Sequence, residues 1–165
     1  MAGISHLQGT RLLEDVSSKR STALSKSFLK SCVVTLLLAN GVGALFGGTT
    51  LIVHPDGSGI GLPLSILRYS PFVDFLIPGI ILFVTNGVCS FIVLLIVLRK
   101  MPRSYLYVMA EGAILTGWII VQVIMIRGVG ALHFIFGGIG LALMGCGWAM
   151  NGQSVTKRSR GSIST

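Results

Sequence analysis

Charge is nearly absent from four long stretches of this chain, and that absence limits the fold more than any motif does. Residues 32–53, 75–98, 104–126 and 129–150 are apolar almost throughout, and Glu111 and His133 are the only acidic or basic side chains in them. An α-helix rises ~1.5 Å per residue, so about 20 apolar residues cross the ~30 Å hydrocarbon layer of a bilayer. Each stretch reaches that length. The expected fold is all-α: a four-helix transmembrane bundle, both termini cytoplasmic, with one ordered external loop between helices 1 and 2. A mean hydropathy of +0.84 excludes an ordinary soluble domain. One bundle over residues 31–152 accounts for the chain, flanked by basic tails at 1–30 and 153–165.

The formal net charge of +8 alone would suggest a nucleic-acid binder, but its distribution argues otherwise. Arg11, Lys19, Arg20, Lys26 and Lys30 precede the first span, Arg99, Lys100 and Arg103 lie between the second and third, and Lys157, Arg158 and Arg160 follow the fourth. Only Arg68 and Arg127 fall in the other connections. The positive-inside rule then puts both termini in the cytoplasm of a cell (inner or plasma) membrane. The expected partners are the lipid bilayer, whose anionic headgroups attract such charge, and a membrane-protein partner or a second copy of the chain; no nucleic acid is expected. The polar residues before the first span are too many for a signal-peptide n-region, so an uncleaved first span is expected. The N-terminal tail reads as mobile or as a helix on the inner leaflet, and the C-terminal tail as disordered.

Three cysteines, Cys32, Cys89 and Cys146, all fall inside spans and form no CxxC, so they read as small buried hydrophobes. The loop at 54–74 opens with Pro55-Asp56-Gly57-Ser58-Gly59, a strong turn signal. A short helix is expected over Leu62 to Tyr69. Ser70-Pro71 resembles an N-cap followed by proline, which would start the second span there and leave Pro78 two turns in, where it could kink the helix. The loop's leucines and isoleucines are too apolar for free solvent, so it should fold back on the bundle.

Small residues suggest how the spans pack. Ala39, Gly43 and Gly47 recur every four residues in the first span, and Gly138, Ala142 and Cys146 do so in the fourth. Each set shares one helical face, and bare faces allow backbones to approach closely where lipid supplies no hydrophobic force. The two faces are expected to meet inside the bundle, with homodimerisation as the alternative use.

Two polar groups could carry chemistry. In the third span, Glu111 and Gln122 lie eleven residues apart and share a helical face with Trp118. Asn40 should sit at the depth of Glu111, and Asn86 deeper. Intramembrane polar residues are costly and usually face the protein interior. This group reads either as a protonatable transport site or as a neutral carboxyl tying helices together, the second being preferred. At the outer face, His54, Asp56, Arg68, Asp74 and His133 could in principle approach a metal site, but their spacing matches no ligand pattern. The preferred reading is interfacial polarity with an Arg–Asp pair holding the loop. No metal, no cofactor and no catalytic residue is assigned, because no nucleophile–base pattern, phosphate loop or HExxH occurs.

The stretch PDGSGIGLPLSILRYSPFVDFLIPG, together with GWIIVQ at 117–122, resembles a family of small bacterial four-span integral membrane proteins. The likeness covers residues 33–150. It implies a compact bundle with an ordered external loop and brings no activity or residue roles. Small multidrug transporters, similar in size, carry an essential Glu in the first span, where this chain has Asn40. DoxX-like proteins share the four-span plan without an identifying motif here. The favoured function is a non-enzymatic structural, accessory or interaction subunit, and the alternative is a small proton- or cation-linked transporter or channel using Glu111.

Overall fold

The computed structural model describes the backbone of residues 2–161 and the side chains of residues 24–152. Helix α1 covers Ala2–Val53, α2 Leu76–Ile81, α3 Cys89–Leu98, α4 Ser104–Ile126 and α5 Ala131–Gly161. A π-helical segment, Leu82–Val88, joins α2 and α3 into one continuous rod. Among the described residues, four stretches are long and apolar enough to cross a membrane: Leu24–Val53, Leu76–Leu98, Ser104–Ile126 and Ala131–Gly152. Helices suit that solvent because every backbone N–H and C=O finds its partner within the segment. An even number of such rods returns the chain to the end of the bundle at which it began.

The N-terminal tail is helical, one of its two expected forms, and the C-terminal tail continues a helix where disorder was expected. Residues 2–30 are the first part of α1, and 153–161 continue α5. No proline interrupts either segment, and extending an existing helix costs far less than starting one. Residues 162–165 lie outside the described part.

The second span starts at Leu76, not at Ser70-Pro71. The Ser70 hydroxyl instead accepts the Phe72 N–H at 3.2 Å, closing a local turn, and the carboxylate of Asp74 accepts the Leu76 N–H at 3.0 Å. Asp74 is thus the side chain that meets an orphan donor at the helix start. Pro78 is the third residue of α2 and needs no intrahelical donor there, so it breaks nothing. The irregularity lies one turn further on, in the π segment, where the Thr85 hydroxyl donates to the Ile81 carbonyl at 2.8 Å.

The connection between α1 and α2 is folded onto the end of the bundle. Leu67 and Phe75 are buried against Leu51 of α1 and Met125 of α4, with Leu62, Ile66 and Phe72 around them. The Phe75 N–H donates to the Pro55 carbonyl at 2.8 Å, tying the ends of the loop together. Gly57 has φ +79°, and a Cβ there would run into the Leu62 carbonyl, so glycine is required at this turn. Leu64–Tyr69 forms a 3₁₀ turn. The anticipated Arg–Asp pair is replaced by a different clamp: Arg68 stays exposed, while Arg127, just past α4, lies 4.0 Å from the centre of the Tyr69 ring.

Helix α4 packs most closely on α5, and α1 on the second span. The two glycine faces do not meet as expected. Gly138 has open space where a side chain would be, and Ala39 and Ala142 are exposed. Of those stripes, Gly43 touches α5, through the Phe136 ring. The close backbone contacts use other glycines. A Cβ on Gly112 would lie 2.6 Å from the Gly140 carbonyl oxygen, and one on Gly147 would lie 2.9 Å from that of Tyr105. On the opposite side, a Cβ on Gly48 would lie 2.8 Å from the Phe83 backbone nitrogen. Spacing by four identified bare faces, but several of those faces exist, and the larger neighbours decide which are used. An apolar core of Val33, Leu37, Val93, Leu94, Val97, Val108 and Leu143 fills the end of the bundle nearest the termini.

Candidate functional site

Three spans bring polar side chains to one buried point. Glu111, on α4, is 1 % exposed, and Asn40 on α1 and Ser90 on α3 are 0 % exposed. The Ser90 hydroxyl donates to Glu111 Oε1 at 2.6 Å. The Asn40 amide nitrogen lies 2.8 Å from Ser90 Oγ, 3.3 Å from the same Glu111 oxygen and 3.4 Å from the Asn86 carbonyl. One amide, one hydroxyl and one carboxyl thus join α1, the second span and α4. The partners of Glu111 are neutral dipoles on neighbouring helices.

The expected pairing of Glu111 with Asn40 is present. Ser90 is the member that sequence reasoning missed. Its signal was available, because Asn86 and Ser90 lie four apart and so share a helical face. Asn86 is buried, but its side chain stays off the carboxyl: its amide nitrogen donates to the Thr85 hydroxyl at 2.9 Å. It contributes a backbone carbonyl instead. The π segment ends at Val88, directly before the turn that carries Ser90. π segments often occur where a helix must present a particular group.

Trp118 and Gln122 are not part of this cluster. They line a cavity of about 230 Å³ between α1, α4, α5 and the folded loop, which reaches from Asn40 to His133. Gly43 and Gly47 form its bare wall on α1, and Leu115, Ile119 and Phe136 supply apolar surface. Two of its lining residues each carry a buried polar atom with no hydrogen-bond partner, Asn40 at Oδ1 and Trp118 at Nε1.

The second predicted group disperses. Asp56 accepts from the Ser58 hydroxyl at 2.7 Å and the Ser58 N–H at 3.1 Å. Those two bonds, and more weakly the nearby His54, hold its carboxyl below the usual aspartate range. Asp74 starts α2, and His133 Nδ1 accepts the Gly130 N–H at 3.0 Å. Among the described residues, no three His, Cys, Asp or Glu side chains gather as a metal site would require. Asp56, Asp74 and His133 each serve a turn of their own, so the group does not form one centre.

In comparison with known proteins, this chain matches no family model, no curated protein and no solved structure.

Proposed function

We propose that this chain is a non-enzymatic integral protein of the cell membrane, a structural or accessory subunit that acts through its contacts within the bilayer. The observation that carries this reading is the engagement of Glu111. Its carboxyl is almost fully buried, and its Oε1 accepts from both Ser90 and Asn40, from two other spans. A carboxyl used in this way fastens helices together. In this proposal both termini and the 99–103 turn face the cytoplasm, with the 54–75 loop outside, because the basic residues crowd the terminal side. Reporter fusions decide the orientation: a reporter active only outside should be silent at the C-terminus and active in the loop.

The second reading is a small proton- or cation-linked transporter or channel. It draws on the cavity that reaches Asn40, the immediate neighbour of the carboxyl. Proteoliposomes carrying a pH-sensitive dye separate the two. The accessory reading expects identical proton flux for the native protein and for Glu111→Gln. A flux that Glu111→Gln abolishes, with the fold intact, replaces it by the transporter.

A further inference from the structure

A second cavity, of about 260 Å³, opens at the end of the bundle nearest the termini, and all four spans contribute to it. Lys26 and Lys30 come from α1, Lys100 from the turn before α4, and Ser104 is the first residue of α4. Leu29, Val97 and Met150 supply its apolar part. Lys26 and Lys100 are exposed, and Lys30 and Ser104 are half-buried, so a solute can reach them. Among the described residues no carboxylate neutralises these lysines. The described acids are Asp56, Asp74 and Glu111, and each is engaged elsewhere, by Ser58, by the Leu76 N–H, and by Ser90 with Asn40. Asp15, the nearest acid before them in α1, precedes Lys26 by eleven residues, ~16 Å of helix and beyond the ~8 Å Debye length. Lys26 and Lys30, four apart on one helical face, repel each other. Three like charges around one small cavity describe its complement, an anion.

We infer that this cavity binds a phosphate monoester group, with the three ammonium groups and the Ser104 hydroxyl donating to its oxygens. A monoester carries a charge of about −1.5 to −2 at neutral pH and three strong acceptor oxygens, one for each lysine. A phosphodiester has a single charge and two free oxygens, which leaves one ammonium unanswered. Lysine is a point charge on a flexible stem, so three of them can close on one tetrahedral anion from different helices. The first turn of α4 holds no acid, so the positive end of that helix adds to the field. The depth of the cavity matches a headgroup. Val97 is one residue from the end of the second span, Ser104 opens the third, and Met150 is two residues from the end of the fourth. Basic pockets between membrane helices at that level suit anionic headgroups, and the apolar residues beside the lysines suit the start of an acyl chain. The site uses no residue of the Glu111 cluster, so it stands apart from the accessory reading and can fail without it.

Native mass spectrometry in a non-ionic detergent tests the site without the charge of a bilayer surface. Dioctanoyl phosphatidic acid, a monoester, should bind saturably, with half-saturation at about a tenfold lower concentration than dioctanoyl phosphatidylglycerol, a diester. Equal half-saturation for the two lipids, or none for either, overturns the assignment. Inorganic phosphate separates the sources of the group: displacement of the lipid at matched concentration marks a soluble phosphomonoester as the ligand, and retention of the lipid marks the headgroup. Lys30→Gln combined with Lys100→Gln should raise the half-saturation for phosphatidic acid by about tenfold or more. Arg99→Gln combined with Arg103→Gln removes as much charge from the same end of the bundle, at exposed positions outside the cavity lining. That pair should change the half-saturation by less than about twofold. Equal losses in the two double variants would reduce the site to diffuse attraction and overturn it. Should the lysine pair not fold, Lys26→Gln decides the matter at an exposed position, where a shift of about threefold is expected and an unchanged half-saturation counts against the cavity.

Discussion

Two seams hold this bundle together, and they are built on opposite principles. Where α1, the second span and α4 converge, Asn40, Ser90 and Glu111 share hydrogen bonds in a fully buried cluster. Where α4 meets α5, the contact is between backbones, with Gly112 against Gly140 and Gly147 against Tyr105. In water, burial of apolar side chains would drive both. Lipid is as apolar as the side chains, so association depends on close packing and on polar groups that lipid cannot satisfy. The α4/α5 seam relies on shape alone and should tolerate no added volume. The polar seam relies on complementarity and should tolerate any substitution that keeps the acceptor.

The largest effect is expected at Gly112. Gly112→Leu drives a side chain into the Gly140 carbonyl, which cannot move away as a flexible side chain would. A loss of about 3 kcal/mol or more is expected, read as thermal unfolding in detergent. Gly138→Leu is the matched control, since nothing lies within 4 Å of its Cβ position, and should cost no more than about 0.5 kcal/mol. Similar losses in both variants would remove the shape-only description of the α4/α5 seam.

Next comes Glu111. Glu111→Leu leaves the Asn40 amide and the Ser90 hydroxyl without their shared acceptor, for an expected cost of about 2 kcal/mol. Glu111→Gln keeps a carbonyl oxygen in that place and should cost about 0.6 kcal/mol, the average for a hydrogen bond between membrane helices. Equal costs would show that the seam depends on the volume of Glu111 and not on its oxygen. Weaker still is the loop clamp. Arg127→Ala removes the cation above Tyr69, and about 0.5–1 kcal/mol should go with it, seen as faster proteolysis of the 60–74 segment.

The smallest effect is a pH dependence at Asp56. Its carboxyl titrates below the ordinary aspartate value, so the stability it lends the turn is complete above that value. That contribution disappears as pH falls through the lowered value, a window beginning near pH ~4. Hydrogen exchange at the Ser58 amide should accelerate in that window beyond its intrinsic pH trend. Asp56→Asn should show no such step.

The four spans were legible because the absence of charge over membrane-crossing lengths is a strong, local signal. The Glu111–Asn40 contact was legible too, since both residues can be placed in depth by counting from the span ends. Ser90 escaped because a single serine in a membrane helix is a weak signal until its spacing from Asn86 is considered. The glycine seams were misassigned for another reason. Nineteen of the glycines are set against neighbours or open space that only the fold defines, and a bare face does not name its partner. The outer polar group failed similarly: local turns claimed Asp56, Asp74 and His133 one by one.

The π segment has a consequence for how the second span can change. A π turn accommodates one more residue than an α turn, so Leu82–Val88 sets the phase between the two halves of a single rod. Deleting one residue there would restore an ordinary helix and rotate everything beyond it by about 100°. The Gly48–Phe83 contact lies at the start of the segment and would keep its aim, whereas Ser90 would turn away from the carboxyl. The span therefore joins two separately phased surfaces, one matched to the loop end of α1 and one to α4, and a one-residue change in length uncouples them without altering the hydrophobicity by which the span is recognised.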